Sequence, residues 1–422
     1  MQNFPNSSRY RVLLLTTTRS YRGPAFLAAA RKLNIEIIQG IDMPQELATH
    51  WVDGLAIDFS RREESVQKIV AFAQDTALDG ILAVDDSGTI LAALASEALN
   101  LPHNAISAAE ASSNKYIMRQ LLSDAQLQIP AFQIHTTAEN LAEIAQQISF
   151  PCVVKPLNLN GSRGVIRANS EQELLAAIKR CALLLSSLFG DDEAVPFLIE
   201  TYIPGIEIAL EGLMVDGRLR VLALYDKPDP LEGPFFEETI YVTPSRLPAA
   251  TQSAIMNCAG KAARALGLVT GPIHAELRIN EQGSWIIEIA GRSIGGLCSE
   301  TLLFGINTSL EELILRQLCS LELNGIEQVK DARGVMMIPI PNAGLLRGVD
   351  GIEKAESIAY IERVEITAPI NNPLQPVPEG DGYLGFIFAT AQTPQEVENA
   401  LREAHTKLDF HIDPLLPMIT QY

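Results

Sequence analysis

The chain is 422 residues long and carries 32 Lys and Arg against 51 Asp and Glu, a formal net charge of −19. Hydrophobic residues make up 47% and charged residues 20%, a globular balance that excludes a disordered or collagen-like chain. The acidity argues against a nucleic-acid binder, which needs clustered Lys and Arg, and the length suggests two to three domains at about 150 residues each.

Arg11–Thr16 reads as a buried strand, Pro24–Leu33 as a helix rich in Ala and Leu, and Ile35–Gln39 as the next strand. Gly54–Asp58, a helix over Glu64–Gln74, and Gly80–Val84 continue the alternation. Strands alternating with helices predict a parallel, doubly wound sheet. No GxGxxG follows the first strand, so residues 1–110 form a small α/β domain without a dinucleotide fingerprint.

One helix is expected over Ala105–Leu122, containing Asn114-Lys115-Tyr116. A compact α+β unit then follows. Its strands are Pro130–Ile134, Cys152–Pro156, Gly164–Ala168 and Phe197–Glu200, with a helix over Glu171–Leu185 and a loop at Gly190–Glu193. Ile206–Val215 and Arg218–Tyr225 read as longer, antiparallel strands. The tail after Arg333 has strands at Val335–Pro339 and Tyr383–Ala389 and a helix over Pro394–Leu408.

Four clusters could carry chemistry. In the first, a strand ends at Lys155 and runs into a polar turn in which Gly161 and Gly164 bracket Ser162-Arg163. Glycines let backbone N–H groups approach phosphate oxygens. There is no GKS or GKT, so this is either a plain hairpin loop or a phosphate-covering loop other than the P-loop. A Lys on an apolar strand needs a partner.

In the second cluster, Ile199-Glu200-Thr201-Tyr202-Ile203 leads through Pro204-Gly205 to Glu207. Its free backbone groups suit an adenine edge and Glu207 suits ribose hydroxyls; the alternative is a strand–turn–strand with surface carboxylates.

The third cluster is a hairpin. Period two puts His274, Glu276 and Arg278 on one strand face. A turn at Asn280–Gly283 brings Glu276 near Glu288. Facing carboxylates repel unless a cation or proton lies between them. Oxygen ligands favour Mg²⁺ or Mn²⁺ over zinc. Two solvated carboxylates on a sheet face are the rival. In the fourth, Arg292 precedes Gly295-Gly296 and suits bidentate capture of a phosphate or carboxylate. The four converge on Mg–ATP.

In this order, the motifs from about Ala105 to Gly296 resemble the ATP-grasp superfamily of ligases. The resemblance implies an ATP-grasp fold with a mobile lid behind a pre-ATP-grasp domain. Residues 111–200 would be the lid with its linking helix, 201–332 the catalytic subdomain, and 333–422 a C-terminal α+β extension packed on it. By position, Lys115 and Lys155 look like the lysines on the nucleotide phosphates, and Gly161, Ser162 and Gly164 like the lid loop. Glu200 and Ile203 look like adenine-reading backbone positions, and Glu207 like the ribose ligand. Glu276 and Glu288 resemble the metal carboxylates, and Arg292 the Arg that steadies an acyl phosphate.

Many members carry an Asn two residues after the second Glu; here it is Ala290. The string EIAGR-SIGG resembles the L-amino acid ligase branch, as does Gly233-Pro234-Phe235-Phe236-Glu237-Glu238 followed by Pro244-Ser245. In that branch the equivalent of Glu238 faces an amino group. Tyr241 stands where a His is common.

The resemblance implies amide formation between small-molecule carboxylate and amine substrates, amino acids among them, with ATP and Mg²⁺ (or Mn²⁺). Lys155 and Arg292 would be catalytic. His274 and Glu238 are candidates to take the ammonium proton, and Tyr241, Gly295 and Gly296 would face substrate.

No stretch approaches the ~18 apolar residues of a membrane span, and MQNFPNSSRY lacks the apolar core of a signal peptide. Five scattered cysteines without a CxxC pair form neither a disulfide framework nor a zinc site. A cytoplasmic protein with reduced thiols and no membrane or nucleic-acid partner is expected, with a homodimer as the base-rate assembly.

Overall fold

β1 (Arg11–Thr17) is apolar from Val12 to Leu15 because both of its faces are covered. It pairs in parallel with β2 (Glu36–Asp42) and β4 (Gly80–Ala83), and β3 (Leu55–Ile57) joins β2, giving the order β3-β2-β1-β4. The computed structural model describes residues 10–18, 20–48, 54–190, 194–323, 326 and 329–415. The helices Gly23–Leu33, Arg62–Asp75 and Asp86–Ala98 complete the doubly wound unit. The order reverses between β1 and β4, so the carboxyl ends of those strands open a crevice there.

The single helix expected over Ala105–Leu122 is two, Ile106–Ser113 and Lys115–Asp124. Asn114 breaks it: its backbone is extended (φ −123°, ψ 111°), and its side chain accepts from the N–H groups of Tyr116 and Ile117. An Asn N-cap satisfies donors that a continuing helix would bond internally. The freed N–H of Lys115 donates to Leu157 O at 3.0 Å, joining this helix to the loop after the lid strand. Asn114→Ala should cost about 1 kcal/mol in urea denaturation; a change under about 0.3 kcal/mol would remove this role.

The lid is a four-stranded antiparallel sheet, β5 (Phe132–Thr136), β8 (Pro196–Thr201), β6 (Cys152–Pro156) and β7 (Ile166–Ala168) in that order. The helix Glu171–Phe189, capped by Ser170, packs Leu174, Ile178, Cys181 and Leu185 against it. The loop expected at Gly190–Glu193 lies outside the described residues from Asp191 onward.

Residues 206–290 build one side of an eight-stranded sheet. β13 (Gly283–Ala290), β12 (Gly271–Asn280), β9 (Ile206–Val215), β10 (Arg218–Asp226) and β11 (Ile240–Thr243) come first. Tail strands Ala332–Ile338, Gly385–Ala391 and Ile361–Ile366 continue it. The tail therefore extends this sheet as well as packing on it. β11 would otherwise present an open row of N–H and C=O groups, which Ala332–Ile338 pairs from Thr243↔Arg333 to Ile240↔Met336. The helix Pro394–His405 covers this end with Val397, Leu401 and Ala404.

Candidate active site

A cavity of about 930 Å³ lies where the crevice of the first domain, the lid and the large sheet meet. Of the residues given a catalytic, nucleotide, metal or substrate role from the sequence, only Gly164 does not line it. Lys115, Lys155, Glu200, Ile203 and Glu207 do, with Gly161 and Ser162 of the lid loop. So do Glu238, Tyr241, His274, Glu276, Glu288, Arg292, Gly295 and Gly296.

Lys155, next to last in β6, is buried, and its Nζ lies 2.8 Å from Glu200. The other oxygen of Glu200 meets Arg119 Nε at 2.6 Å, and both of those side chains are almost wholly enclosed. Arg119 was not foreseen from the sequence. Burial alone would raise the Glu200 pKa; the charges of Arg119 and Lys155 overcome it and pull it down to about 2. The folded-state pKa is thus depressed, so this group stabilises the fold above its ordinary value of 4.5 and loses that contribution as pH falls towards 2. Acid unfolding should weaken the protein by about 3 kcal/mol across that window through this group alone. A Glu200→Gln variant whose acid transition matched the native protein would contradict it.

Lys115 Nζ donates to Leu159 O at 2.7 Å and sits 3.1 Å from Glu288. Gly161 (φ +60°) and Ser162 (φ +56°) turn the lid loop through the left-handed region. Gly164 (φ +72°) instead faces Pro156, whose Cγ would lie 2.6 Å from an added Cβ. Gly164→Pro would also remove an N–H that donates to Pro378 O at 2.7 Å. That variant should lose most turnover, with ATP KM raised about tenfold; wild-type kinetics would show that the loop's shape is irrelevant.

Glu276 and Glu288 are register partners on β12 and β13. Their side chains divide, however. Glu288 meets Lys115, whereas Glu276 joins Glu207 and Glu238 around Lys227. The Lys227 ammonium lies 2.9 Å from Glu207, 2.5 Å from Glu238 and 3.2 Å from Glu276, with the Tyr241 ring 5.0 Å away. The sequence reading missed Lys227, although it directly follows an apolar strand, much as Lys155 lies at the end of one.

Burial, then the neighbouring Glu276 charge, pushes Glu238 up to about 7. Burial opposes ionisation of Glu276 too, but Lys227 and His274 hold it well below the usual range. The pair therefore tends to keep one proton, on Glu238. His274 Nδ1 is 2.5 Å from the fully buried Glu211, and Nε2 is 3.3 Å from Glu276. Burial would lower the imidazole pKa, but hydrogen bonds to these carboxylates raise it to about 9. His274 is thus an imidazolium at neutral pH, better placed to hold charge than to accept a proton.

Glu207 is also gripped by Arg278, Nε at 2.9 Å, and the Ile203 carbonyl accepts from Arg278 Nη1 at 2.9 Å.

The first domain contributes more than its sequence suggested. Asp86, at the start of the helix after β4, accepts from Arg292 Nε at 2.8 Å and from the Asn160 amide at 2.7 Å. Burial lowers the Arg292 pKa, but Asp86 more than compensates and the guanidinium stays charged. Arg22 donates to Val84 O at 2.7 Å and to the Ser293 hydroxyl, fixing the chain beside Arg292. Asp86 thereby ties one arginine and the lid loop to a single point. A carboxylate at the carboxyl end of a parallel strand, beside the switch in strand order, was the available signal.

The doubly wound first domain, the antiparallel four-stranded sheet and the large sheet around this cavity are those of ATP-grasp enzymes, and the chain carries the ATP-grasp and ATP-grasp N-terminal domains. Residues 148–301 match the ATP-grasp domain family, residues 27–103 the ATP-grasp N-terminal domain, and residues 336–413 the L-amino acid ligase C-terminal domain 2. Within the superfamily it resembles the L-amino acid ligase branch. The crystal structure of L-amino acid ligase from Bacillus licheniformis superposes with a TM-score of 0.78 at 25% identity, covering 96% of this chain and 99% of that one. Alanine–anticapsin ligase of Bacillus subtilis is 28% identical over 274 residues, 61% of this chain and 57% of that ligase. D-Alanine–D-alanine ligase of Geobacter sulfurreducens is 24% identical over 294 residues, 67% of this chain and 82% of that enzyme. No helix among the described residues is long and apolar enough to cross a membrane.

The donor set suits a hard divalent cation at Glu276 and Glu288. Both offer only oxygen and are register partners, although each is paired here with a lysine, Glu276 with Lys227 and Glu288 with Lys115, that an ion would have to displace. Glu207, Glu238 and Glu276 also bring oxygens within 4.8 Å of one another, but Lys227 neutralises the middle of that group.

Proposed function

We propose that this protein joins a carboxylate to an amine, both drawn from amino acids, at the expense of ATP through an acyl phosphate. The observation that supports this most is the gathering of Lys115, Lys155, Glu276, Glu288 and Arg292 around one cavity. A carboxylate does not acylate an amine unaided, because oxide would have to leave. Transfer of the γ-phosphoryl group supplies a leaving group, and the charge that develops is met by fixed cations.

In this reading the second lid strand and its loop place the ATP phosphates against Lys155 and Lys115. The 200–203 hinge takes the adenine and Glu207 the ribose. Glu276 and Glu288 would hold Mg²⁺, which supplies charge neutralisation for the phosphates. Arg292, aimed by Asp86, steadies the acyl phosphate and then the oxyanion formed when the amine adds. Glu238, protonated in part near neutrality, faces the amine end beside Tyr241. The lid excludes water, the competing nucleophile.

The test is ATP-dependent phosphate release with Mg²⁺ across amino acids, singly and in pairs, with bicarbonate apart. Release that needs particular amino acids, with the amide seen by mass spectrometry, supports the reading. Release on bicarbonate alone, or ATP binding with no release for any acid and amine, would overturn it.

A further inference from the structure

The lid loop is fastened to the tail. Gly164 N–H donates to Pro378 O at 2.7 Å, and Arg163 Nε donates to Glu379 O at 2.7 Å. Arg163 Nη1 lies 3.4 Å from Asp381. From the lid helix, Arg180 grips the Glu379 carboxylate with Nε and with Nη2, the latter at 2.8 Å. The same tail segment forms part of the cavity wall, through Gln375 and the run from Glu379 to Tyr383. One short piece of chain therefore holds the phosphate-side loop and also borders the space where substrates would react.

We infer that Glu379 is a positioning residue that makes closure of the lid loop depend on occupancy of the substrate end of the cavity. This rests on the ligase reading. Its importance lies in the fate of the acyl phosphate. When the amine adds, the carbon–nitrogen bond forms, the acyl carbon–oxygen bond breaks, phosphate leaves and the ammonium proton passes to solvent. When water adds, the same carbon–oxygen bond breaks, the acid is regenerated and ATP is spent for nothing. A lid held shut by the tail only when that end is filled favours the first outcome. The Arg180–Glu379 pair is partly exposed, with side-chain exposures of 45% and 27%, so it adds little to overall stability. Small differences in lid preference nevertheless shift populations severalfold.

The experiment compares wild type, Glu379→Ala, Arg180→Ala and the double variant. It measures phosphate released per amide formed, KM for amine and for ATP, and urea stability. Each single variant should raise the phosphate-to-amide ratio about fivefold, with kcat for phosphate release nearly kept and stability unchanged. The double variant should do no more than either single, because both remove one link. A ratio unchanged in both singles overturns the inference. So does a ratio that changes only in step with lost stability, since that is a merely structural role. If wild type forms no amide at all, the ligase reading fails and takes this inference with it, a result distinct from an unchanged ratio.

Discussion

Arg292→Ala should lower turnover about a thousandfold while leaving ATP affinity within a few-fold, as expected for loss of one pre-oriented donor to a developing negative charge. The argument rests on how the side chain is held. Asp86 accepts from Nε at 2.8 Å and the Ser293 carbonyl accepts from Nη1 at 2.9 Å, so the guanidinium has little freedom. Arg22 secures the same segment through Ser293. Little reorganisation is then needed when charge appears on the substrate. Arg292→Lys keeps the charge but loses the planar fork, and should fall between the two. Steady-state kinetics with a urea control decides it, because Asp86 is left with a single partner. Activity within threefold of wild type would remove Arg292 from the chemistry.

The second large effect is on stability. Arg119→Met should destabilise the fold by about 3–5 kcal/mol, the usual result of removing one partner of a buried ion pair. Glu200 keeps Lys155, which places the expectation at the lower end of that range. Arg119 also donates to Ile287 O at 2.6 Å, so one side chain joins the lid hinge to β13. Adding Glu200→Gln to Arg119→Met should recover part of the loss, since the penalty comes from an undercompensated carboxylate. Urea denaturation of the four proteins gives the answer. A loss below 1 kcal/mol, or a double variant weaker than the single, would contradict it.

Much of this fold was legible because period and run length were clear. Cys152–Pro156 was placed residue for residue, and the facing of Glu276 and Glu288 followed from period two and one short turn. The break at Asn114 falls in the polar run Ser112-Ser113-Asn114-Lys115, which the exposed turn of a continuous helix could equally carry, and tertiary contact lets the cap win. Arg119, Lys227 and Asp86 were missed for another reason. Each finds its partners across the fold: Arg119 at Glu200, Lys227 at Glu276, and Asp86 at Arg292. The end of an apolar strand marks Lys227 and Asp86 as candidates, but no local pattern names their partners, and Arg119 lies in a helix with no such mark. The motif residues line the cavity; the residues that hold them are scattered along the chain.

The continuity of the large sheet has a consequence for how the protein is made. Its middle strand β11 gains its second neighbour only from residues 332–338, and the cavity wall at 375–383 comes later still. Contacts of such long sequence separation form late and slowly. A growing chain that has emerged only as far as Arg292 already carries both lysines and both carboxylates, yet it lacks the wall at 375–383. Under the proposed function, the nascent polypeptide would hold these residues without an enclosed cavity until synthesis has passed residue 383.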